Sequence, residues 1–68
     1  MSDEEKILEF ISFCAEIYAK QHIISGSDAM ALFAKSGTTE YLRECYEPLH
    51  TQGESYILSC VEDFLGEK

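Results

Sequence analysis

The spacing of apolar residues near the N-terminus is the feature that most constrains how this chain can fold. Apolar side chains recur at intervals of three and four residues, at Ile7, Phe10, Ile11, Cys14, Ile17 and Tyr18. In an α-helix these positions lie on one face, and Glu5, Glu9 and Glu16 lie opposite. The pattern predicts an amphipathic helix over about residues 3–22, which must bury its apolar face against other parts of the chain.

A second helix is indicated by its start and stop signals. Ser25 is a preferred N-cap residue, and Asp28 occupies the capping-box position three residues later. Gly37 supplies the left-handed conformation that ends many helices. These signals predict a helix over about residues 26–35.

Two further helices are predicted on either side of Pro48. Because proline lacks the backbone N–H, Pro48 ends or kinks a third helix over about residues 39–47. Thr51 and Glu54 have the spacing of a capping box, which predicts a last helix over about residues 52–65.

These elements predict an all-α fold, a compact bundle of four helices joined by short loops. A chain of 68 residues has room for one hydrophobic core, so we expect residues 1–68 to form a single domain. A domain of this size buries only about 60% of its unfolded surface. We therefore expect part of the apolar surface to be buried against a partner or a second copy.

The charge of the chain is strongly negative and restricts its partners. Thirteen acidic residues outnumber five basic ones, for a net charge of −8. Nucleic acids and anionic membranes are disfavoured because both require cationic surfaces. The charged N-terminal segment differs from a signal peptide, and no apolar run approaches the roughly 20 residues that span a bilayer. We expect a cytoplasmic protein that binds a basic protein patch.

Cys14, Cys45 and Cys60 are an odd number of cysteines without a CxxC pair, so we expect reduced thiols. Cys45 and His50 lie five residues apart and could bind a ligand or metal in a small sensory domain. Zinc, however, needs about four converging ligands. No pattern indicates a nucleophile with its base or a phosphate-binding loop. The sequence therefore predicts no enzyme, no metal site and no cofactor.

Two surfaces are candidates for contact with a partner. Leu8 and Phe13 flank the apolar stripe of the first helix and widen it beyond what one neighbouring helix would cover. His50, Gln52 and Gly53 form the second candidate. A glycine near a helix start reflects either another segment passing close to the backbone or exposed amides that receive a partner's carboxylate.

A set of segments extends over nearly the whole chain: Phe13 to Tyr18, Ser25-Gly26 followed by Leu32-Phe33, Gly37 with Tyr41-Leu42, and Tyr46 to Gly53. This set resembles a family of small bacterial proteins classed as a domain of unknown function, number 3791 in its series. Leu49-His50-Thr51-Gln52-Gly53 is the most specific part of the resemblance. The resemblance implies a short cytosolic protein whose gene neighbours encode ADP-ribosyltransferase-like proteins, and an antitoxin-like or accessory role.

Three functions follow in order of preference. The first is a protein–protein interaction module that self-associates or binds a basic protein. The second is a small ligand- or metal-sensing regulatory domain that uses Cys45 and His50. The third is an acidic DNA mimic, whose carboxylates would occupy a nucleic-acid-binding groove.

Overall fold

Five α-helices follow one another along the chain in the computed structural model, which describes residues 2–67. They are α1 (Ser2–His22), α2 (Gly26–Ser36), α3 (Thr38–Glu44), α4 (Tyr46–Leu49) and α5 (Glu54–Leu65). Within these residues there is no strand. The predicted all-α fold is confirmed, and residues 1 and 68 of the predicted domain lie outside the described part.

The core forms where α1 packs against α2, α3 and α5. Half of its buried side chains come from α1, because the apolar face of this helix must leave water for the helix to be stable. Ile7 and Ile17 of the predicted face are only partly buried. The buried side chains are Phe10, Ile11, Cys14, Ala15, Tyr18 and Ala19 of α1, with Ala29, Phe33, Leu42, Leu49, Ile57 and Val61 from the other helices.

The predicted limits of α2 are confirmed. Ser25 has an extended conformation, and its hydroxyl accepts a 3.0 Å hydrogen bond from the amide of Asp28. Gly37 ends the helix with φ 87°, in the left-handed region that favours glycine. The hydroxyl of the fully buried Thr38 lies 2.7 Å from that of Ser36, so this buried polar group is satisfied.

The helix predicted over residues 39–47 is interrupted at Cys45. α3 ends at Glu44, Cys45 leaves helical geometry with φ −98° and ψ 13°, and α4 begins at Tyr46. Pro48 explains the position of the break, because it has no N–H for the carbonyl of Glu44 and its ring collides with that group. Pro48 is the third residue of α4, where an N–H would have no partner inside the helix.

The capping box predicted for the last helix is wrong. α5 begins at Glu54 after Gly53, and no side chain caps it. The amide of Gln52 donates a 2.9 Å hydrogen bond to the carbonyl of Leu49, which keeps this stretch in a turn. Thr51 therefore lies within the turn, two residues before the N-cap position.

No helix within residues 2–67 combines the length and the apolar character needed to cross a membrane.

Candidate functional site

The first predicted contact surface lies on the outer side of α1. Leu8 and Phe13 are 48% and 38% exposed, although both are large apolar side chains. They line a shallow depression together with Glu9, Ser12 and Glu16. We refer to these five residues as the α1 surface.

The α1 surface is mixed rather than uniformly apolar. Leu8 and Phe13 are five residues apart, so they point about 140° from each other around the helix. Glu9, Ser12 and Glu16 project between them and are exposed. The surface thus presents two carboxylates with one large apolar side chain on each side of them, all on one helix.

The second predicted surface is the turn that joins α4 to α5. The ring of His50 stacks on that of Tyr46, with centroids 4.2 Å apart and planes 8° apart. Its Nδ1 lies 2.8 Å from the carbonyl oxygen of Tyr46 and 3.0 Å from that of Glu47, so this nitrogen donates to the backbone. Tyr46 in turn meets Phe10 of α1 edge-on at 5.5 Å. The His50 ring is therefore tied to α1 through Tyr46 and has a clear structural role.

Gly53 lies in open surroundings. No atom lies within 4 Å of where its Cβ would be, so the explanation that another segment passes close to its backbone is wrong. Gly53 is the N-cap of α5, a position that glycine occupies readily. Gln52 is exposed beside it. That the first amides of α5 receive a partner group stays a prediction.

The depression at the α1 surface does not reach the second predicted surface within residues 2–67. The depression beside Leu8 and Phe13 is lined by residues of α1 only, and His50, Gln52 and Gly53 are not among them.

The cysteines differ in their surroundings. Cys14 is fully buried, and burial raises the pKa of its thiol to about 12. A thiol with this pKa stays protonated at neutral pH and is a poor nucleophile or metal ligand. Cys45 and Cys60 are free and partly buried. Within residues 2–67, Cys45 and His50 do not belong to any group of three ligand-type side chains.

A different group of polar side chains meets where α1 and α5 end. Nε2 of His22 lies 3.0 Å from Oε2 of Glu62 and 3.6 Å from Oε1 of Glu67. The hydroxyl of Tyr18 donates a 2.7 Å hydrogen bond to Oε2 of Glu67, and its ring stacks on His22 at 4.1 Å. We refer to His22, Glu62 and Glu67 as the end cluster. The sequence gives no signal for it, because His22 and Glu62 are 40 residues apart.

The model of the family described as "Protein of unknown function (DUF3791)" matches residues 9–68. The chain belongs to this family. No curated protein and no solved structure matches the chain.

The DUF3791 match includes most of the positions discussed above. Phe13, the turn at residues 50–53 and the whole end cluster lie within it, whereas Leu8 directly precedes it. Membership supports the resemblance stated from the sequence and assigns no function to any residue.

Proposed function

We propose that this protein is an interaction module that binds a basic protein partner through the α1 surface, and that it acts by binding rather than by catalysis. The observation that carries the proposal is the arrangement on α1, where exposed Leu8 and Phe13 flank the carboxylates of Glu9 and Glu16. Large apolar side chains left in water on a helix of so small a domain favour contact with a partner.

A basic partner fits this arrangement chemically. A lysine or arginine side chain laid between Glu9 and Glu16 would pair its charged head with a carboxylate, and arginine could do so with two hydrogen bonds. Its aliphatic stem, or an apolar neighbour on the partner, would cover Phe13 or Leu8. The net charge of −8 would speed the approach of such a partner.

Pairing of two α1 surfaces is less favourable. It would bring Glu9 and Glu16 of one chain towards the same carboxylates of the other, and each chain carries a net charge of −8. The charge therefore favours a different, basic protein over a second copy as the occupant of this surface.

The role we propose for the complex is that of an antitoxin-like or accessory subunit, in which this small acidic protein holds or inhibits a basic partner. An acidic DNA mimic would use carboxylates alone to fill a nucleic-acid-binding groove. The two roles differ in their dependence on Phe13, because an apolar side chain makes little contribution to a phosphate-like charge array.

Two matched variants test the surface. Phe13 on α1 and Met30 on α2 are both 38% exposed, so Phe13→Asp and Met30→Asp each add one negative charge at an equally exposed apolar position. Affinity-tagged full-length protein is used to capture partners from the native host, and the captured protein is then purified. Its affinity for the wild type and both variants is measured by calorimetry at low and physiological salt.

The proposal expects a captured protein with a basic surface whose binding weakens with salt. It also expects a loss of affinity of about tenfold or more in Phe13→Asp and little change in Met30→Asp. Equal affinity for the wild type and Phe13→Asp would contradict the assignment of the surface. If light scattering shows a dimer that Phe13→Asp dissociates, the occupant of the α1 surface is a second copy of the chain and not a basic partner.

A further inference from the structure

We propose that the end cluster of His22, Glu62 and Glu67 is a binding site for a divalent transition metal ion of the zinc class. The three side chains each offer one ligand atom, and these atoms all lie within 4.8 Å of one another. Imidazole nitrogen and carboxylate oxygen are both common ligands of Zn²⁺. This inference is independent of the proposed partner binding.

The distances from His22 to the two carboxylates of the end cluster suit tetrahedral coordination. Ligands at about 2.0–2.1 Å from a tetrahedral Zn²⁺ are separated from each other by about 3.3 Å. Nε2 of His22 lies 3.0 Å from the nearest oxygen of Glu62 and 3.6 Å from that of Glu67, so the two separations bracket this value. The ligand oxygens of Glu62 and Glu67 lie within 4.8 Å of each other, so these two carboxylates would approach by up to about 1.5 Å to complete three ligand bonds.

Two of the ligands are held in place by Tyr18. Its hydroxyl donates a hydrogen bond to Oε2 of Glu67, which leaves Oε1, the oxygen nearer His22, to bind the metal. The ring of Tyr18 stacks on the imidazole of His22. Hydrogen-bonded carboxylates and fixed imidazoles are typical of metal sites, because outer groups orient the ligands. Tyr18 itself is only 3% exposed, so it supports the end cluster from the core.

The electrostatic surroundings favour a cation. α1 ends at His22 and α5 ends at Leu65, so the negative ends of two helix dipoles lie beside the cluster. Glu62 and Glu67 add two formal negative charges. The three ligand side chains keep between 21% and 36% of their surface exposed, which leaves room for water as a fourth ligand.

Metal binding at this place would have a mechanical consequence. It would link the end of α1 to the end of α5 across 40 residues of chain. Because the three ligands converge only in the folded chain, the metal would stabilise the folded state by mass action.

The test uses full-length protein prepared without a polyhistidine tag. Binding of ZnCl₂ is followed by calorimetry and by thermal unfolding, and the absorption spectrum of the Co²⁺-loaded protein reports the ligand type. The variants are Glu62→Gln and Glu67→Gln, which preserve shape and remove a ligand charge, with Cys45→Ser as the matched control. Circular dichroism verifies that each variant is folded.

We expect one Zn²⁺ per chain, a higher unfolding temperature with zinc, and a loss of affinity of about tenfold or more in both glutamate variants. Cys45→Ser should bind as the wild type does, and the cobalt spectrum should lack a thiolate-to-metal charge-transfer band. Absence of stoichiometric binding would overturn the proposal and leave His22–Glu62 as a simple hydrogen-bonded contact. Loss of binding in Cys45→Ser would overturn it in favour of a cysteine site.

Discussion

The hydroxyl of Tyr18 donates a 2.7 Å hydrogen bond to Oε2 of Glu67, which joins α1 to the residue that follows the C-cap of α5. The pKa of Tyr18 is raised to about 12, mainly by burial, then by this hydrogen bond and by the charges of Glu67 and Glu62. In the folded protein, therefore, Tyr18 keeps its proton well above the pH at which a free tyrosine loses it.

This pKa shift predicts a loss of stability in alkali. In the unfolded chain Tyr18 ionises near its ordinary pKa of 10.0, whereas in the folded chain it ionises at about 12. Between these values the folded state binds more protons, so the free energy of unfolding falls as pH rises from 10 towards 12. Tyr18→Phe should lower stability by about 1 kcal/mol at neutral pH and reduce the alkaline loss. Denaturant unfolding at pH 7 and at several values above 10 measures both, and equal alkaline slopes in the two proteins would refute the prediction.

The turn after α4 provides a second prediction. His50→Ala removes the stacking on Tyr46 and the hydrogen bond from Nδ1 to the backbone, and should cost about 1 kcal/mol. Gln52→Ala, at an exposed position two residues away, should change stability by less than about 0.5 kcal/mol. Urea unfolding of both variants tests this, and equal costs would show that the His50 contacts contribute nothing.

Two glycines should respond in opposite directions to the same substitution. Gly53 has φ −75° with open space around it, so Gly53→Ser gives α5 a capping side chain and should stabilise the protein by about 0.5–1 kcal/mol. Gly66 has φ 76°, so Gly66→Ser should cost about 1 kcal/mol. Thermal unfolding of the two variants checks both signs, and destabilisation by Gly53→Ser would show that the turn needs glycine for another reason.

The sequence predicted those helices whose signals are local. The apolar stripe of α1 and the Ser25 cap of α2 depend on residues within one or two turns, and both are confirmed. The helix break lies before residue 47, where the sequence predicts it, because the carbonyl that loses its helical hydrogen-bond donor belongs to Glu44, four positions before Pro48. The Thr51 cap failed because the turn after α4 extends through Gln52.

The candidate sites also differ in whether local sequence signals predict them. The exposure of Leu8 and Phe13 could be predicted from their place at the edges of one helical stripe. The end cluster could not, because it exists only where the ends of α1 and α5 meet, and neither helix alone shows an unusual pattern around His22 or Glu62. The packing of α5 against α1 determines which of their end residues come together, and a single sequence does not show this packing.

Charge-neutralising variants on α1 test the central claim most directly. The double variant Glu9→Gln/Glu16→Gln removes two exposed carboxylates from the α1 surface, and Glu44→Gln/Glu47→Gln removes two exposed carboxylates elsewhere. Both double variants have the same net charge, so any difference between their affinities for the purified partner reflects where the removed charges lie. Binding through the α1 surface predicts a loss of about tenfold or more in the first variant and a much smaller loss in the second. Equal losses would mean that only the net charge matters, and would contradict the α1 surface as the binding site.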